Sequence, residues 1–113
     1  MTDCLFCAIG SGAIPAAIVA ETDRVAVFRD VNPQAPVHLL AIPKAHFGSV
    51  AELAAVAPDL VSDLITEGSA AAVAEGATNG YRIVFNTGHD GGQSVGHVHT
   101  HVLGGRQLTW PPG

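Results

Sequence analysis

The segment His97-Val98-His99-Thr100-His101-Val102-Leu103 alternates with a period of two, which suits a β-strand and not a helical face. In a strand, residues i, i+2 and i+4 lie on one side, so His97, His99 and His101 point together while Val98, Thr100 and Val102 point the other way. Three of the chain's six histidines thus form a row. Single histidines are common in half-buried strands, but three in strict alternation call for chemistry.

The flanking sequence supplies the rest of a sheet. Residues 17–21 and 24–29, with a short polar turn between them, read as a hairpin. "DVNPQAP" is a loop by its prolines, and the apolar run 37–44 reads as a third, central strand. Pro58 suits a first helical position, and Leu60, Val61, Leu64, Ile65, Gly68, Ala71 and Ala72 follow helical spacing until Gly76. The small residues at 68–72 would permit close approach by another element, which makes this face a candidate dimer contact. Residues 81–86 and 97–103 form the last two strands, separated by the Gly-rich loop 87–96. The order β-β-β-α-β-β predicts an α+β domain: a five-stranded antiparallel meander sheet with one long helix on one face. With 113 residues, 48% of them hydrophobic, the chain is expected to form a single domain over 1–113.

Composition narrows the partners. Five basic residues against ten acidic give a net charge of −5, and Arg24, Arg29, Lys44, Arg82 and Arg106 are scattered, which argues against nucleic acid as a partner. No apolar run approaches the roughly 20 residues that span a bilayer, and the start lacks a signal-peptide pattern, so a cytoplasmic location without membrane attachment is expected. The two cysteines form a Cys4-Leu5-Phe6-Cys7 pair, a spacing suited to a metal or a redox pair.

Two chemistries fit the histidine row. One is a catalytic metal held by three imidazoles, although same-face strand neighbours lie about 7 Å apart, too far for three to share an ion easily. The other is attack on phosphorus by a neutral imidazole, with its neighbours positioning the phosphorus and moving protons. The glycines of "DGGQSV" just upstream would let backbone N–H groups converge on an anion beside His99.

With the row written as His-φ-His-φ-His-φ-φ, the sequence resembles the histidine triad family. The resemblance is closest to its Hint-like branch of nucleoside phosphoramidate hydrolases, through "DGGQSVGHVHTHVLGGRQLTWPPG", "DVNPQAPVHLLAIPKAH", "GYRIVFNTG" and "IPA". It implies the histidine triad fold, joined into a larger sheet across a homodimer. It also implies a purine nucleoside phosphoramidase, of the adenosine 5′-monophosphoramidase type, that works through a nucleotidyl-histidine intermediate. His99 would be the nucleophile, His101 and Ser94 would contact the phosphate and leaving group, and His38 would stand behind them as an orienting imidazole. Asn86 and the backbone of Gly92, Gln93, Ser94 and Val95 would meet the phosphate. Asp30 would accept from the ribose, and Leu5, Phe6, Ile9, Ile14, Phe28 and Val31 would enclose the base. Gly96 and Thr100 depart from the pattern, since relatives tend to carry an aromatic residue at the first and an apolar one at the second.

The Cys pair resembles that of zinc-containing members, in which His46 and His97 would complete a closed set with Cys4 and Cys7. Such a zinc would be structural, and the reaction itself would need no cofactor. In the dimer, Trp110 would shape the partner's leaving-group pocket. Two rival functions stand beside this one: dinucleoside polyphosphate hydrolysis or nucleotidyl transfer, and a non-catalytic nucleotide-binding module.

Overall fold

The computed structural model describes residues 4–113. Its elements are α1 (Leu5–Ser11), β1 (Ile18–Glu21), β2 (Val25–Arg29), β3 (Val37–Pro43), α2 (Val50–Val56), α3 (Pro58–Ala74), β4 (Tyr81–Phe85) and β5 (Thr100–Gly104). The α+β class and the five-stranded antiparallel sheet expected from the sequence are both present.

The strand order, β1-β2-β3-β5-β4, corrects the plain meander. β3 and β4 each pair antiparallel with β5 and are therefore parallel to one another. Parallel strands need a long crossover, which α2 and α3 provide, and the β4–β5 hairpin then folds back into the gap. The histidine strand gains hydrogen-bonded neighbours on both sides, with Ala41 and Phe85 both opposite Thr100.

The β5 ladder begins at Thr100 rather than at residue 97. Beside it β3 ends at Pro43, which has no N–H to donate, and the Val98 N–H goes instead to Phe47 O at 2.7 Å. The alternation survives this departure. Val98 and Val102 join the core under α3, while the rings of His97 and His99 meet Phe6 on the opposite side.

One long helix was expected, and two short ones accompany it. α2 starts at an S-x-x-E capping signal: Ser49 accepts from the Glu52 N–H, and Glu52 reaches back to the Gly48 N–H. α1 is capped by Cys4 and ends where Gly12 turns left-handed.

Both faces of the sheet are covered because β3 is buried along its whole length. Val37, Leu39 and Ala41 pack with Leu60, Leu64, Ala71 and Ala72 of α3, while Leu40 and Ile42 pack with Phe28 and Phe6 on the α1 side. A Cβ at Gly68 would sit 3.1 Å from Val102 Cγ2 and 3.4 Å from Ala41 Cβ. Gly68, Ala71 and Ala72 therefore serve the approach of α3 to its own sheet, which corrects their reading as a dimer contact.

Thr100 is fully buried on the α3 side, and its Oγ1 has no hydrogen-bond partner among the described residues. A desolvated hydroxyl left unpaired costs about 1–3 kcal/mol, and valine has nearly the same shape. Thr100→Val is therefore expected to stabilise the fold by about 1 kcal/mol, read as a higher urea midpoint at unchanged slope; a lower midpoint would refute this reading.

Candidate active site and metal centre

Four imidazoles gather on the α1 side of the sheet. The His99 and His101 ring centroids lie 5.0 Å apart, and those of His101 and His38 lie 5.2 Å apart. His97 stands next to Phe6 and His46. His38 reaches the site from β3 because the alternation that sends Val37 and Leu39 toward α3 turns it the other way.

Hydrogen-bond partners assign the tautomers. A neutral imidazole has one N–H and one lone pair, so fixing either nitrogen fixes the other. His38 Nδ1 accepts from the Gln34 N–H at 3.0 Å, which leaves the proton on Nε2, and that Nε2–H donates to His101 Nδ1 at 2.9 Å. His101 in turn carries its proton on Nε2. In neutral His99, Nδ1–H donates to His97 O at 2.8 Å, so the Nε2 lone pair is available for attack. Neighbouring rings therefore present opposite faces to a ligand: His99 a lone pair and His101 an N–H.

Electrostatics keep the relay neutral. Burial pushes the His101 pKa down to about 4, with His99 and His38 adding to the effect and Asp30 opposing it. His38 is lowered as well, by burial, against the pull of Asp30 at 3.4 Å. Asp30, His38 and His101 also lie close enough to hold a cation. The Gln34 N–H disfavours that use, because His38 cannot both accept from it and offer Nε2 to a metal without becoming an imidazolate.

The Gly-rich loop is tied down from within. The Gln93 side chain donates to Gly48 O and Val95 O and accepts from the Gly88 N–H, and Asn86 Nδ2 donates to Gly91 O. The N–H groups of Gly92 and Gln93 are engaged inside the loop, with His89 O and Gly88 O, and Gly92 takes a positive φ of 76°. Asn86, Gly92 and Gln93 thus shape the loop, with Ser94 exposed and Val95 packed beside Phe6 and Phe28.

Among the residues expected at the base, Phe6 and Phe28 are buried and Ile9 is partly so, while Leu5, Ile14 and Val31 are exposed. Asp30 Oδ1 accepts from the Asn32 N–H, closing a turn, while Oδ2 faces His38. Trp110 is 81% exposed, on a tail held by Arg82 to Thr109 O and by Arg106 to Gln34 O.

Cys4, Cys7, His46 and His97 place their donor atoms within 4.8 Å of one another. Cys4 Sγ and Cys7 Sγ lie 3.3 and 3.5 Å from His97 Nδ1, and Cys7 Sγ lies 3.3 Å from His46 Nδ1. A tetrahedral site with metal–sulfur bonds of about 2.3 Å and metal–nitrogen bonds of about 2.0 Å has sulfur–nitrogen edges of about 3.5 Å, so the set fits a metal. His97 Nε2–H donates to Pro43 O at 2.8 Å, which fixes the tautomer with Nδ1 free for coordination. Burial and the neighbouring Cys4 push the Cys7 thiol up, a penalty that a bound dication reverses. The groups that aim the imidazoles, Gln34 N–H, His97 O and Pro43 O, belong to the backbone and leave no trace in residue identity.

A triad of imidazoles on the segment that leads into a central strand, backed by a fourth and flanked by a Cys/His cluster, defines a histidine triad protein. The HIT domain profile matches residues 11–108. An uncharacterized HIT-like protein of Synechococcus elongatus is 50% identical over 111 residues, spanning 98% of this chain and 97% of that protein. A 14 kDa zinc-binding protein of Brassica juncea is 44% identical over 113 residues, spanning 98% and 100% respectively. The crystal structure of a HIT family hydrolase from Legionella pneumophila matches with a TM-score of 0.93 at 47% identity, covering 98% of this chain and 100% of that one. The chain belongs to the HIT family.

The depressed pKa of His101 has a consequence for stability. Its folded value, about 4, lies below the unfolded value of about 6.5, so the unfolded chain binds more protons as pH falls. This contribution is fully present above about pH 6.5 and is lost toward pH 4, to an extent on the order of 3 kcal/mol. Urea unfolding in the presence of chelator should show the loss, and His101→Asn should flatten it; a variant profile as steep as wild type would overturn the assignment.

Proposed function

We propose that the protein is a purine nucleoside phosphoramidase that hydrolyses the P–N bond of adenosine 5′-phosphoramidates through a nucleotidyl-His99 intermediate. The observation that carries this reading is the pairing of opposite tautomers: a lone pair on His99 Nε2 beside an N–H on His101 Nε2.

In the first step the His99 Nε2 lone pair attacks phosphorus as the P–N bond breaks, and the amine leaves with a proton taken up from solvent water. The His101 N–H, backed by His38, is assigned to the phosphate and leaving-group side, and the exposed Ser94 hydroxyl to the leaving group. The imidazolium character that His99 gains is met by its Nδ1–H bond to His97 O. In the second step water attacks phosphorus, the bond to Nε2 breaks, the proton that water loses returns to solvent, and the nucleoside monophosphate departs from a regenerated neutral imidazole. The backbone around Ser94 and Val95 meets the phosphate oxygens, Asp30 the ribose, and the apolar residues from Leu5 to Val31 the base. The exposure of Leu5 and Val31 beside buried Phe6 and Phe28 suits a wall that a base completes.

The metal cluster is assigned to structural zinc, whose thiolate and imidazole ligands are those this ion prefers. The Brassica juncea relative, a zinc-binding protein, supports that choice. The chain is further proposed to act as a cytoplasmic homodimer, with Trp110 at the partner's leaving-group pocket. β4 supports this as a sheet edge open to a second copy, and among the described residues no helix is long and apolar enough to cross a membrane.

Two measurements test the proposal. His99→Ala should lower kcat/KM on adenosine 5′-phosphoramidate by about a thousandfold or more, and wild type should turn it over faster than diadenosine polyphosphate. Retained turnover in the variant would overturn the nucleophile, and the reverse substrate order would favour a polyphosphate hydrolase. Protein purified without chelator or metal-binding tag should carry about one zinc per chain, reduced in Cys7→Ser; less than about a tenth of an equivalent in wild type would remove the zinc assignment.

A further inference from the structure

The metal cluster and the histidine site share three walls. On the first, Cys4 and Cys7 bracket Leu5 and Phe6, and Cys4 Sγ caps α1 by accepting from the Cys7 N–H at 3.4 Å. Phe6, only 5% exposed, sets its ring edge-on to His99 at 5.0 Å, to Phe28 at 5.7 Å and to His97 at 6.0 Å. On the second, the residues after His46 hold the site from below: Phe47 O accepts from the Val98 N–H, and Gly48 O accepts from Gln93 Nε2. The third is direct, since His97 O holds His99 Nδ1–H.

A seven-residue helix such as α1 has little stability of its own, so its seating depends on what its side chains grip. At its N-terminal end those side chains are the two thiols and Phe6.

We propose that Phe6 is a positioning residue through which metal binding at Cys4, Cys7, His46 and His97 and nucleotide binding beside His99 strengthen one another. This rests on the nucleotide site proposed above. An ion gripping both thiols fixes α1 and holds Phe6 against the His99 ring. A base packed on Leu5, the exposed neighbour of Phe6 on the same helix, holds α1 and so keeps the thiols together. The coupling is reciprocal: the factor by which metal tightens nucleotide binding equals the factor by which nucleotide tightens metal binding.

The test measures zinc affinity by equilibrium competition against a chelator of known strength, with and without saturating AMP, corrected for zinc bound by AMP itself. Calorimetry of AMP with zinc-loaded and zinc-stripped protein supplies the other side of the cycle. AMP should raise zinc affinity about fivefold or more, zinc should raise AMP affinity by the same factor, and Phe6→Leu should bring both below about twofold. Zinc affinity indifferent to AMP, in wild-type protein that binds AMP, overturns the coupling and leaves the nucleotide reading intact. Full coupling in Phe6→Leu overturns the role of Phe6. Wild-type protein that binds no AMP overturns the nucleotide reading, and the coupling with it.

Discussion

Everything at the site depends on β5 lying between β3 and β4. A strand paired on both sides has its backbone fixed, and residues 97–99, which lead into it, are pinned where the Val98 N–H meets Phe47 O, so the carbonyls there become reference points. His99 hangs from one of them, His97 O, and His97 from another, Pro43 O. His38 is set by the Gln34 N–H and then sets His101. Each ring has one nitrogen committed to a neighbour of known polarity, so the other nitrogen's role follows without a charged residue being needed. On an edge strand the same sequence would keep its alternation and lose this control.

The sequence was most legible where a period or a local signal carried the information. The apolar run 37–44 and the helical spacing after Pro58 map onto β3 and α3, and the alternation around His99 holds for side-chain direction although the β5 ladder starts only at Thr100. The S-x-x-E signal at Ser49, which marks α2, lies in the sequence too, although the expectation of a single helix passes it over. Strand order was not readable, because the pattern of β5 records which side is buried and says nothing of which strand lies beside it. The small residues at 68–72 could not disclose their partner either, since close approach to a sheet and to a second helix demand the same side chains. Most hidden were the backbone groups that assign the tautomers, and with them the difference between a lone pair and an N–H on neighbouring rings.

One row of imidazoles enters two different environments, and the division follows from its surroundings. His97 turns Nδ1 toward two thiols. Two residues on, His99 turns its Nδ1 inward to a carbonyl and its Nε2 outward. Along an extended segment the side chains shift by about 7 Å per repeat, enough to pass from a closed Cys/His cluster to an open site within a single repeat. The Cys/His cluster and the open histidine site are thereby neighbours that share supports such as Phe6 and the His97 peptide.

A chain with a net charge of −5 has little long-range attraction for an anion, and burial keeps His38 and His101 neutral rather than cationic near pH 7. In the proposed function, recognition of a phosphate on such a surface falls to oriented N–H groups, whose strength comes from exclusion of water and fixed geometry instead of net charge. This suits a reaction in which the nucleophile must stay unprotonated. A cationic neighbour would grip the phosphate harder, but it would also stabilise the negative ground state that a neutral imidazole has to attack. The buried, oriented and uncharged relay of His38 and His101 keeps the donor in place without holding the substrate in a deeper well.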